Sequence, residues 1–235
     1  MCNVGLKETK AAESTSVTES GFEYYIENEE VVISKYTGSA VEVEIPEEIE
    51  GYKVTGLGER FLYGKRDLVS VSIPDSVTSI GNRAFYYCDE LKNIKLPEKV
   101  TSIGEAAFSR CYGLQMIEIP ESVTSIGEEA FFDCVSVTIF CKENSYVEQY
   151  VKEHEMEYVS ADVFWTEDGF QYYVENDCVE IVSYAGDVSY IEIPKEINEY
   201  QVTKIGKKAF KGNDDLVSMI VPDGVISIEE EAFGG

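Results

Sequence analysis

Histidine and basic side chains are scarce in this chain of 235 residues. His154 is the single histidine, so a Ser-His-Asp or Cys-His catalytic pair has one position to use, and metal sites built from His and Cys are not expected. Nineteen Lys and Arg residues stand against 45 Asp and Glu residues, which gives a formal net charge of −26. Because nucleic-acid and lipid-surface affinity depends on Lys and Arg, we expect neither kind of partner. The charge fits either a solvated acidic coat or a cationic or metal-bridged partner.

Long apolar runs are also missing. No segment approaches the roughly 20 apolar residues that span a bilayer, and no signal peptide is visible. Residues 1–20 are small, polar or charged, which predicts a flexible leader. Cys2 followed by a polar tether is typical of a bacterial lipoprotein after signal removal, with Met1 added for expression. The other interpretation is an ordinary start codon and a free cysteine.

A short repeat organises the chain. Three copies align without gaps from Val77, Val100 and Val123, and a looser copy begins at Val54, so the period is 23. The shared pattern is V-T-x-I-G-x-x-A-F-x-x-C-x-x-L-x-x-I-x-I-P. The I-x-I segments alternate apolar and polar residues as half-buried strands do, and the following Pro ends each strand. We interpret the Gly as permitting a turn and the Ala-Phe pair as opening a short helical turn. The pattern predicts a mainly β solenoid, a right-handed stack of coils with parallel strands.

A longer duplication overlies the short repeat. The segment that begins at Gly21 returns at Gly169, an offset of 148 that holds through Ala84 and Ala232. We therefore predict three parts: a leader over 1–20, a first module over 21–160, and a second module over 161–235 that stops in mid-repeat. Within the first module we expect leading strands over 21–50, repeats over 51–140 and a cap helix over about 145–155.

The predicted cap helix begins with a capping box. Ser145 and Glu148 have the S-x-x-E spacing that satisfies the first N–H groups of a helix. One face of this helix is predicted to be buried; its residues are Tyr146, Val147, Tyr150, Val151 and His154. Such a helix would cover the end of a stack, which otherwise exposes its core. His154 is interpreted as a packing residue of this face.

The cysteines follow the repeat. Cys88, Cys111 and Cys134 recur at its period, so they occupy one position in successive coils. Side chains of adjacent parallel strands rarely reach disulfide geometry, so we predict a ladder of free, buried thiols. Acidic groups such as Glu128-Glu129 and Glu229–Glu231 also recur at one repeat position. We interpret them as a solvated face and not as the paired carboxylates of a glycosidase.

The repeat resembles the BspA-like leucine-rich repeat family of bacterial and protist surface proteins. The resemblance rests on the full pattern over about 45–140 and 193–235, on Tyr36, Gly38, Ile45 and Pro46, and on the S-Y-V-E-Q-Y cap. It implies a secreted or surface-exposed solenoid, often linked with adhesion to host proteins or other cells. The family shares no catalytic site, so the resemblance transfers no catalytic or cofactor-binding residues.

Two functions remain open on the sequence. The first is an extracellular or cell-surface binding module for a host or neighbouring-cell protein or glycan, with no cofactor. Its predicted contact surface is the outward face of the strands; the residues are Ser70, Ser72, Asn93, Lys95, Met116 and Glu118, with Glu42 and Glu44 in the leading strands. The second is a structural spacer that presents another domain. An enzyme would need catalytic groups that break the repeat pattern, and we identify none.

Overall fold

The computed structural model describes residues 15–234 except 187, 212 and 214. Its contacts divide the chain into two compact units. Unit 1 runs to Leu114 and includes Ser122–Ser136, and unit 2 consists of Gln115–Glu121 and the chain from Val137 onwards. The predicted module boundary near residue 160 differs from this division and remains a prediction.

The chain is built almost entirely from short strands. Those before residue 130 are β1 Ser16–Val17, β2 Phe22–Glu27, β3 Glu30–Tyr36, β4 Glu42–Glu44, β5 Glu48–Ile49, β6 Tyr52–Leu57, β7 Ser70–Ser72, β8 Ser79–Ile80, β9 Asn93–Lys95, β10 Ser102–Ile103, β11 Met116–Glu118 and β12 Ser125–Ile126. Those after it, with the one helix in the described residues, are β13 Thr138–Cys141, α1 Tyr146–Glu153, β14 Tyr158–Ser160, β15 Phe164–Trp165, β16 Phe170–Glu175, β17 Cys178–Tyr184, β18 Tyr190–Glu192, β19 Glu196–Ile197, β20 Tyr200–Ile205, β21 Ser218–Ile220 and β22 Ser227–Ile228.

Parallel pairing between successive coils holds unit 1 together. Its main sheet has the order β1-β2-β3-β6-β8-β10-β12, with β5 also paired to β6. The first two pairings are antiparallel, and those from β3 onwards along this path are parallel. Ile103 stands opposite Ile80 on one side and Ile126 on the other. The predicted parallel solenoid is therefore confirmed, and its register is that of the short repeat.

The interior of unit 1 consists of columns in which equivalent side chains of successive coils lie next to one another. The rings of Phe85 and Phe131 lie 5.0 and 5.6 Å from the ring of Phe108, and all three rings are within 3° of parallel to their neighbours. A second set of equivalent positions is fully buried; its members are Leu68, Leu91 and Leu114. Burying a side chain of this size contributes about 1.5–3 kcal/mol each. Because each coil adds the same buried groups, the repeat in sequence becomes a repeat in packing.

The segment between the Gly and the Cys of each repeat is not the helical turn that the sequence predicted. It consists of consecutive turns with two left-handed residues, such as Arg83 with φ of 56° and Tyr87 with φ of 62°. Alternate N–H groups donate to the next coil and not along a helix: Phe85 N to Ala107 O at 2.8 Å, for example. The remaining N–H groups close single turns within the segment, as Ala84 N does with Gly81 O at 3.3 Å. The prediction failed because the Ala-Phe pair indicates a buried face but not where the backbone N–H groups bond.

The repeat glycine serves close approach and not the turn that we had assigned to it. A Cβ atom on Gly104 would lie 2.6 Å from the backbone of Gly81, and one on Gly127 would lie 2.6 Å from that of Gly104. Neither glycine has a positive φ; the left-handed conformation falls two residues later, on Ala106 and Glu129. Glycine is required because successive backbones touch at this point.

The cysteine ladder exists, with a more exposed last member. Cys88 and Cys111 are fully buried, whereas Cys134 is partly exposed. Each thiol donates to a carbonyl of the preceding coil: Cys111 Sγ to Phe85 O at 2.9 Å and Cys134 Sγ to Phe108 O at 3.0 Å. Cys88, Cys111 and Cys134 are all free thiols. Cys134 differs because the sequence that follows it has no further copy of the pattern.

In unit 2, α1 packs against β13 and β14 of a parallel ladder, β11-β13-β14. Ser145 is its N-cap, and the hydroxyl accepts from Glu148 N at 3.1 Å. The buried face includes Val147, Val151 and, unexpectedly, Glu148, whose carboxylate accepts from Asn144 N at 2.9 Å. That hydrogen bond, followed by the contribution of Lys152, lowers the pKa of Glu148.

Two residues of the predicted helix face are placed differently. Tyr146 and His154 are exposed. His154 forms the C-cap, its Nδ1 lies 2.8 Å from Tyr150 O, and its ring stacks on that of Tyr150 at 4.0 Å. The observed helix ends at Glu153, so His154 follows its last turn and does not continue the buried face.

The longer duplication is reproduced strand by strand. β1 to β8 have the same lengths as β15 to β22, and every pair begins at the offset that relates Phe22 to Phe170. The equivalence begins at Ser16 and Phe164, upstream of the matching glycines. The leader predicted over 1–20 is therefore too long, because Ser16–Val17 pairs with β2. The rest of that prediction, and Cys2, lie outside the described residues.

Candidate partner-binding surfaces

The strand face of unit 1 presents the polar column that the sequence predicted. β4 and β7 pair in parallel, with Glu42 opposite Ser70 and Glu44 opposite Ser72, and all four side chains are exposed. On β9, Lys95 is exposed and Asn93 is partly buried. These small or charged side chains surround no apolar anchor, so this face offers little to a partner beyond hydrogen bonds and surface charge.

The sequence predicted Met116 as an exposed residue of this column, and this prediction is wrong. It is 4% exposed and belongs to a buried cluster of unit 2 with Phe140, Val163 and Tyr173. Glu118, two residues along the same strand, is partly buried. The alternation along β11 is as expected, but chain segments that follow the repeats cover its outer face. Met116 therefore contributes to packing within unit 2.

A different surface of unit 1 concentrates large side chains on the turn segments. Residues between the repeat Phe and Cys differ from copy to copy, although the residues around them are constant. Tyr63 and Tyr86 are equivalent positions of successive coils, and their rings stack at 5.1 Å and 3°. Tyr86 meets Tyr87 edge-to-face at 4.7 Å, and Tyr87 lies 6.2 Å from Tyr112. A run of tyrosine rings thus crosses three coils.

Arginine side chains lie over these rings. The Cζ atoms of Arg66 and Arg110 lie 5.0 and 5.4 Å from the centre of the Tyr87 ring. Arg60 lies 5.5 Å from the Tyr63 ring. A guanidinium at this distance is attracted by the negative face of the ring, by about 0.5–1 kcal/mol at exposed positions. We call this surface the tyrosine–arginine patch; it consists of Tyr63, Tyr86, Tyr87, Tyr112, Arg60, Arg66 and Arg110.

Hydrogen bonds fix the patch further. Arg110 Nη1 donates to Tyr87 Oη, and this bond raises the pKa of the Arg110 guanidinium. Tyr112 Oη donates to Asp133 Oδ2 at 3.3 Å. Desolvation raises the pKa of Tyr112, and the carboxylate of Asp133 raises it further. Both side chains are therefore held in charge states that favour these contacts.

The outer members of the patch remain accessible. Tyr63 is 48% exposed and Tyr112 is 42% exposed. Side chains held by stacking and still open to solvent lose little conformational freedom when a partner covers them. The duplicated segment lacks the patch, since Lys211 and Gly234 stand where Tyr63 and Tyr86 stand. The patch is thus a local feature of unit 1 and not a consequence of the repeat.

A family model described as BspA type Leucine rich repeat region matches residues 55–154 and 182–235 in six copies. The matched ranges cover more than half of the chain. The chain belongs to the BspA-type leucine-rich repeat family. The resemblance inferred from the V-T-x-I-G pattern is therefore confirmed, and the coils described above are BspA-type repeats.

Solved structures of bacterial leucine-rich repeat proteins are similar to this BspA-type chain. A T. pallidum leucine-rich repeat protein is 26% identical, with 57% of this chain and 71% of that chain covered and a TM-score of 0.43. A leucine-rich repeat protein from Bacteroides capillosus is 30% identical, with 54% and 99% covered and a TM-score of 0.45. The pneumococcal vaccine antigen PcpA is 15% identical, with 94% and 67% covered and a TM-score of 0.37. No curated protein sequence matches the chain.

Glu229 and Glu231, two of the recurring acidic groups of the BspA-type repeats, have lowered pKa values. Burial or a neighbouring like charge would raise the pKa of a general acid. Here the hydrogen bonds from Ser227 and Lys204 lower the pKa of Glu229, and the hydrogen bond from Lys211 lowers that of Glu231. Glu128 and Glu129 are exposed. These positions are those of a solvated charged face.

Two further points concern potential metal ligands and helices in the described part of the BspA-type chain. No group of three or more His, Cys, Asp or Glu side chains is placed there to hold a metal ion. Among the same residues, no helix has the length and apolar character that crossing a bilayer requires.

Sequence analysis missed the tyrosine–arginine patch because it concentrated on the positions that repeat. The signal was in the positions that do not: Y-G, Y-Y, S-R and F-D occupy the same place in successive copies of the BspA-type repeat. All four arginines of the chain lie between positions 60 and 110. Uneven arginine use within one stretch of a regular repeat would have indicated this surface.

Proposed function

We propose that the chain is a surface-exposed binding module that attaches to a protein or glycan of a host or neighbouring cell. The observation that carries the proposal is the contrast between interior and surface. The interior repeats the same Phe, Leu and Ile columns, whereas the turn face carries the tyrosine–arginine patch in unit 1 alone. Packing accounts for the interior, and packing alone does not require a patch that departs from the repeat.

The composition of the patch supports recognition of a macromolecule. Tyr and Arg are enriched among the residues that dominate binding energy at protein interfaces. A tyrosine ring offers a large rigid surface with a polar hydroxyl at its edge, so it packs against apolar groups and still forms hydrogen bonds. Tyr63 and Tyr112 present such rings at the two ends of the patch.

Surface location is the second element of the proposal. Membership of the BspA-type family supports an extracellular or cell-surface position. A lipid anchor at Cys2 is one means of attachment. Nucleic acid forms no part of the proposed partner set, because a net charge of −26 repels phosphate backbones. No catalytic step and no cofactor form part of the proposal.

Binding assays on the purified chain test this function. The full chain is passed over immobilised extracellular-matrix proteins and mucin-type glycoproteins, with and without prior removal of the glycans. We expect saturable binding to at least one of these surfaces by native chain and none by heat-unfolded chain. Sensitivity to deglycosylation distinguishes a glycan partner from a protein partner. Equal signals from native and unfolded chain on every surface would contradict the binding function and favour a structural spacer.

A further inference from the structure

Arginine and lysine are used differently in this chain. Four of the 19 basic residues are arginines, and all four lie on the turn segments of unit 1, at positions 60, 66, 83 and 110. The lysines are spread along the whole sequence. Arginine differs from lysine in its planar fork of donors, its weaker hydration and its ability to stack on aromatic rings. A surface that needed positive charge alone would have no reason to use arginine only here.

The side chains of Arg60 and Arg66 are open to solvent. Their side chains are 61% and 67% exposed. Within the described residues, Arg60 forms one ion pair, with Glu59 at 3.6 Å, and Arg66 forms one, with Asp89 at 3.7 Å. Charge-assisted hydrogen bonds are normally about 2.7–2.9 Å long, so both ion pairs are loose. Each guanidinium has five N–H donors and keeps most of them available while its face rests on a tyrosine.

Arg83 and Arg110 have different roles. Arg83 forms a close ion pair with Glu105 at 2.6 Å, which links two coils. Arg110 donates to the Tyr87 hydroxyl, and its Cζ atom lies 5.4 Å from the centre of the same ring. Both Arg66 and Arg110 thus contact Tyr87, and these contacts restrict the orientation of its ring. Arg60 and Arg66 are the two guanidinium groups placed to contact a partner.

We propose that the tyrosine–arginine patch binds a protein segment in which carboxylate side chains alternate with apolar or aromatic side chains. This rests on the proposed binding function and names its site and partner chemistry. The carboxylates accept from the forks of Arg60 and Arg66, and the apolar side chains cover Tyr63 and Tyr112. A carboxylate matches the guanidinium fork in a bidentate geometry that a neutral hydroxyl does not.

The net charge of the chain and the tyrosine–arginine patch favour partners of opposite charge. A chain with a net charge of −26 attracts cationic peptides even without a specific binding site. At physiological ionic strength such fields are screened beyond about 8 Å, so contacts with Arg60 and Arg66 decide the local preference. General electrostatics therefore favours a basic peptide, whereas the patch favours an acidic one. The two expectations have opposite signs.

Three synthetic peptides of equal length test the proposal on the full chain. All three alternate Phe or Leu with one second residue, which is Glu, Gln or Lys. The readout is the set of arginine Nε–Hε signals in a ¹H–¹⁵N NMR spectrum, which has four members because the chain has four arginines. The Arg60→Lys and Arg66→Lys variants assign two of these signals and preserve the charge. A sialylated oligosaccharide and heparin serve as acidic probes without peptide.

We expect the Glu peptide to shift the Arg60 and Arg66 signals and to bind about tenfold more tightly than the Gln peptide. The Lys peptide should leave these signals unchanged. The double variant Arg60→Lys/Arg66→Lys, with an unchanged melting temperature as control, should lose the preference for Glu over Gln. An affinity that is highest for the Lys peptide, lower for the Gln peptide and lowest for the Glu peptide would overturn the proposal. Arg60 and Arg66 signals that do not shift with any of the three peptides would also overturn it. Tighter binding of either glycan probe would also overturn it. Saturable attachment to matrix proteins would still support the binding function in each of these cases.

Discussion

The rings of Phe85 and Phe108 lie 5.0 Å apart and 3° from parallel, although they belong to different copies of the repeat. The backbone follows the same relation, because Phe85 N donates to the carbonyl of Ala107, the residue before Phe108. Side-chain stacking and main-chain pairing therefore share one register. A substitution at one position of a column therefore affects mainly the packing of the two adjacent coils.

Replacing Phe108 with Ala should strongly destabilise the chain. Its ring is fully buried between Phe85 and Phe131, and a cavity of this size typically costs about 3–5 kcal/mol of unfolding free energy. Phe233→Ala is the matched control, since that ring contacts Phe210 but is 47% exposed. Denaturant unfolding should give a much smaller loss for Phe233→Ala. Equal losses would show that the columns do not carry the stability of the stack.

Gly127→Ala and Glu129→Gly should change stability in opposite directions. A methyl group on Gly127 would lie 2.4 Å from Glu105 N, so the coils would have to separate, with a loss of about 2 kcal/mol or more. Glu129 is exposed with φ of 56°, a conformation that costs a residue with a side chain about 1–2 kcal/mol. Glycine relieves that strain but gains freedom in the unfolded chain, so the net effect should be about 0.5 kcal/mol of stabilisation. Thermal unfolding of both variants checks this, and a stabilised Gly127→Ala would refute the close approach.

Alkaline pH should weaken the chain through the buried thiols. Burial raises the pKa of Cys88 to about 12 and that of Cys134 to about 11, from an ordinary value of 9.0. The folded state therefore keeps protons that the unfolded state loses, so the stabilisation is complete below about pH 9 and disappears as pH rises towards about 11 for Cys134 and about 12 for Cys88. Each such thiol adds a slope of about 1.4 kcal/mol per pH unit within that window.

The Cys88→Ala variant isolates this effect from tyrosine and lysine titration. Its free energy of unfolding should fall less steeply than that of the wild type between pH 9 and 12. Thiol labelling of native protein at neutral pH should leave Cys88 and Cys111 unmodified until denaturant is added. Parallel pH profiles for the two proteins, or rapid labelling of Cys111, would argue against a buried thiol ladder.

Removing the cap should expose apolar surface in unit 2. Val147 and Val151 of α1 are fully buried, and the helix packs on β13 and β14. A fragment that ends at Cys141 should therefore aggregate, as measured by light scattering. The milder variant Ser145→Ala should cost about 1 kcal/mol, because the Glu148 N–H loses its acceptor. A fragment 1–141 that stays monomeric with the melting temperature of the full chain would show that α1 is not a cap.

The features that follow from the repeat period, namely the pairing of equivalent strands and their duplication, were predictable from the sequence. A gapless register between copies places Ile80, Ile103 and Ile126 in adjacent parallel strands, and the structure confirms this pairing. The constant offset between Gly21 and Gly169 likewise predicted the second set of strands. These features follow from recurrence, which is directly visible in a single sequence.

Features that depend on distant residues were not predictable in this way. Met116 is covered by Val163 and Tyr173, which lie far along the chain from it. The role of Gly104 depends on the backbone of Gly81, whereas the residue that adopts the left-handed conformation is Ala106. The patch around Tyr87 required the positions of side chains from three coils. Period alone carries no information about such contacts.

Variants on the two faces of unit 1 show which face binds the partner. The turn-face variant Tyr63→Ser/Tyr112→Ser and the strand-face variant Asn93→Ser/Lys95→Ser are measured against the same immobilised matrix protein or glycoprotein that the wild type binds. The account predicts that the turn-face variant raises the dissociation constant at least about tenfold, as loss of hot-spot tyrosines does, while the strand-face variant stays within about twofold. Unchanged melting temperatures confirm that both variants fold. Loss of binding in the strand-face variant, with full binding by the turn-face variant, would contradict the account and return the site to Asn93 and Lys95.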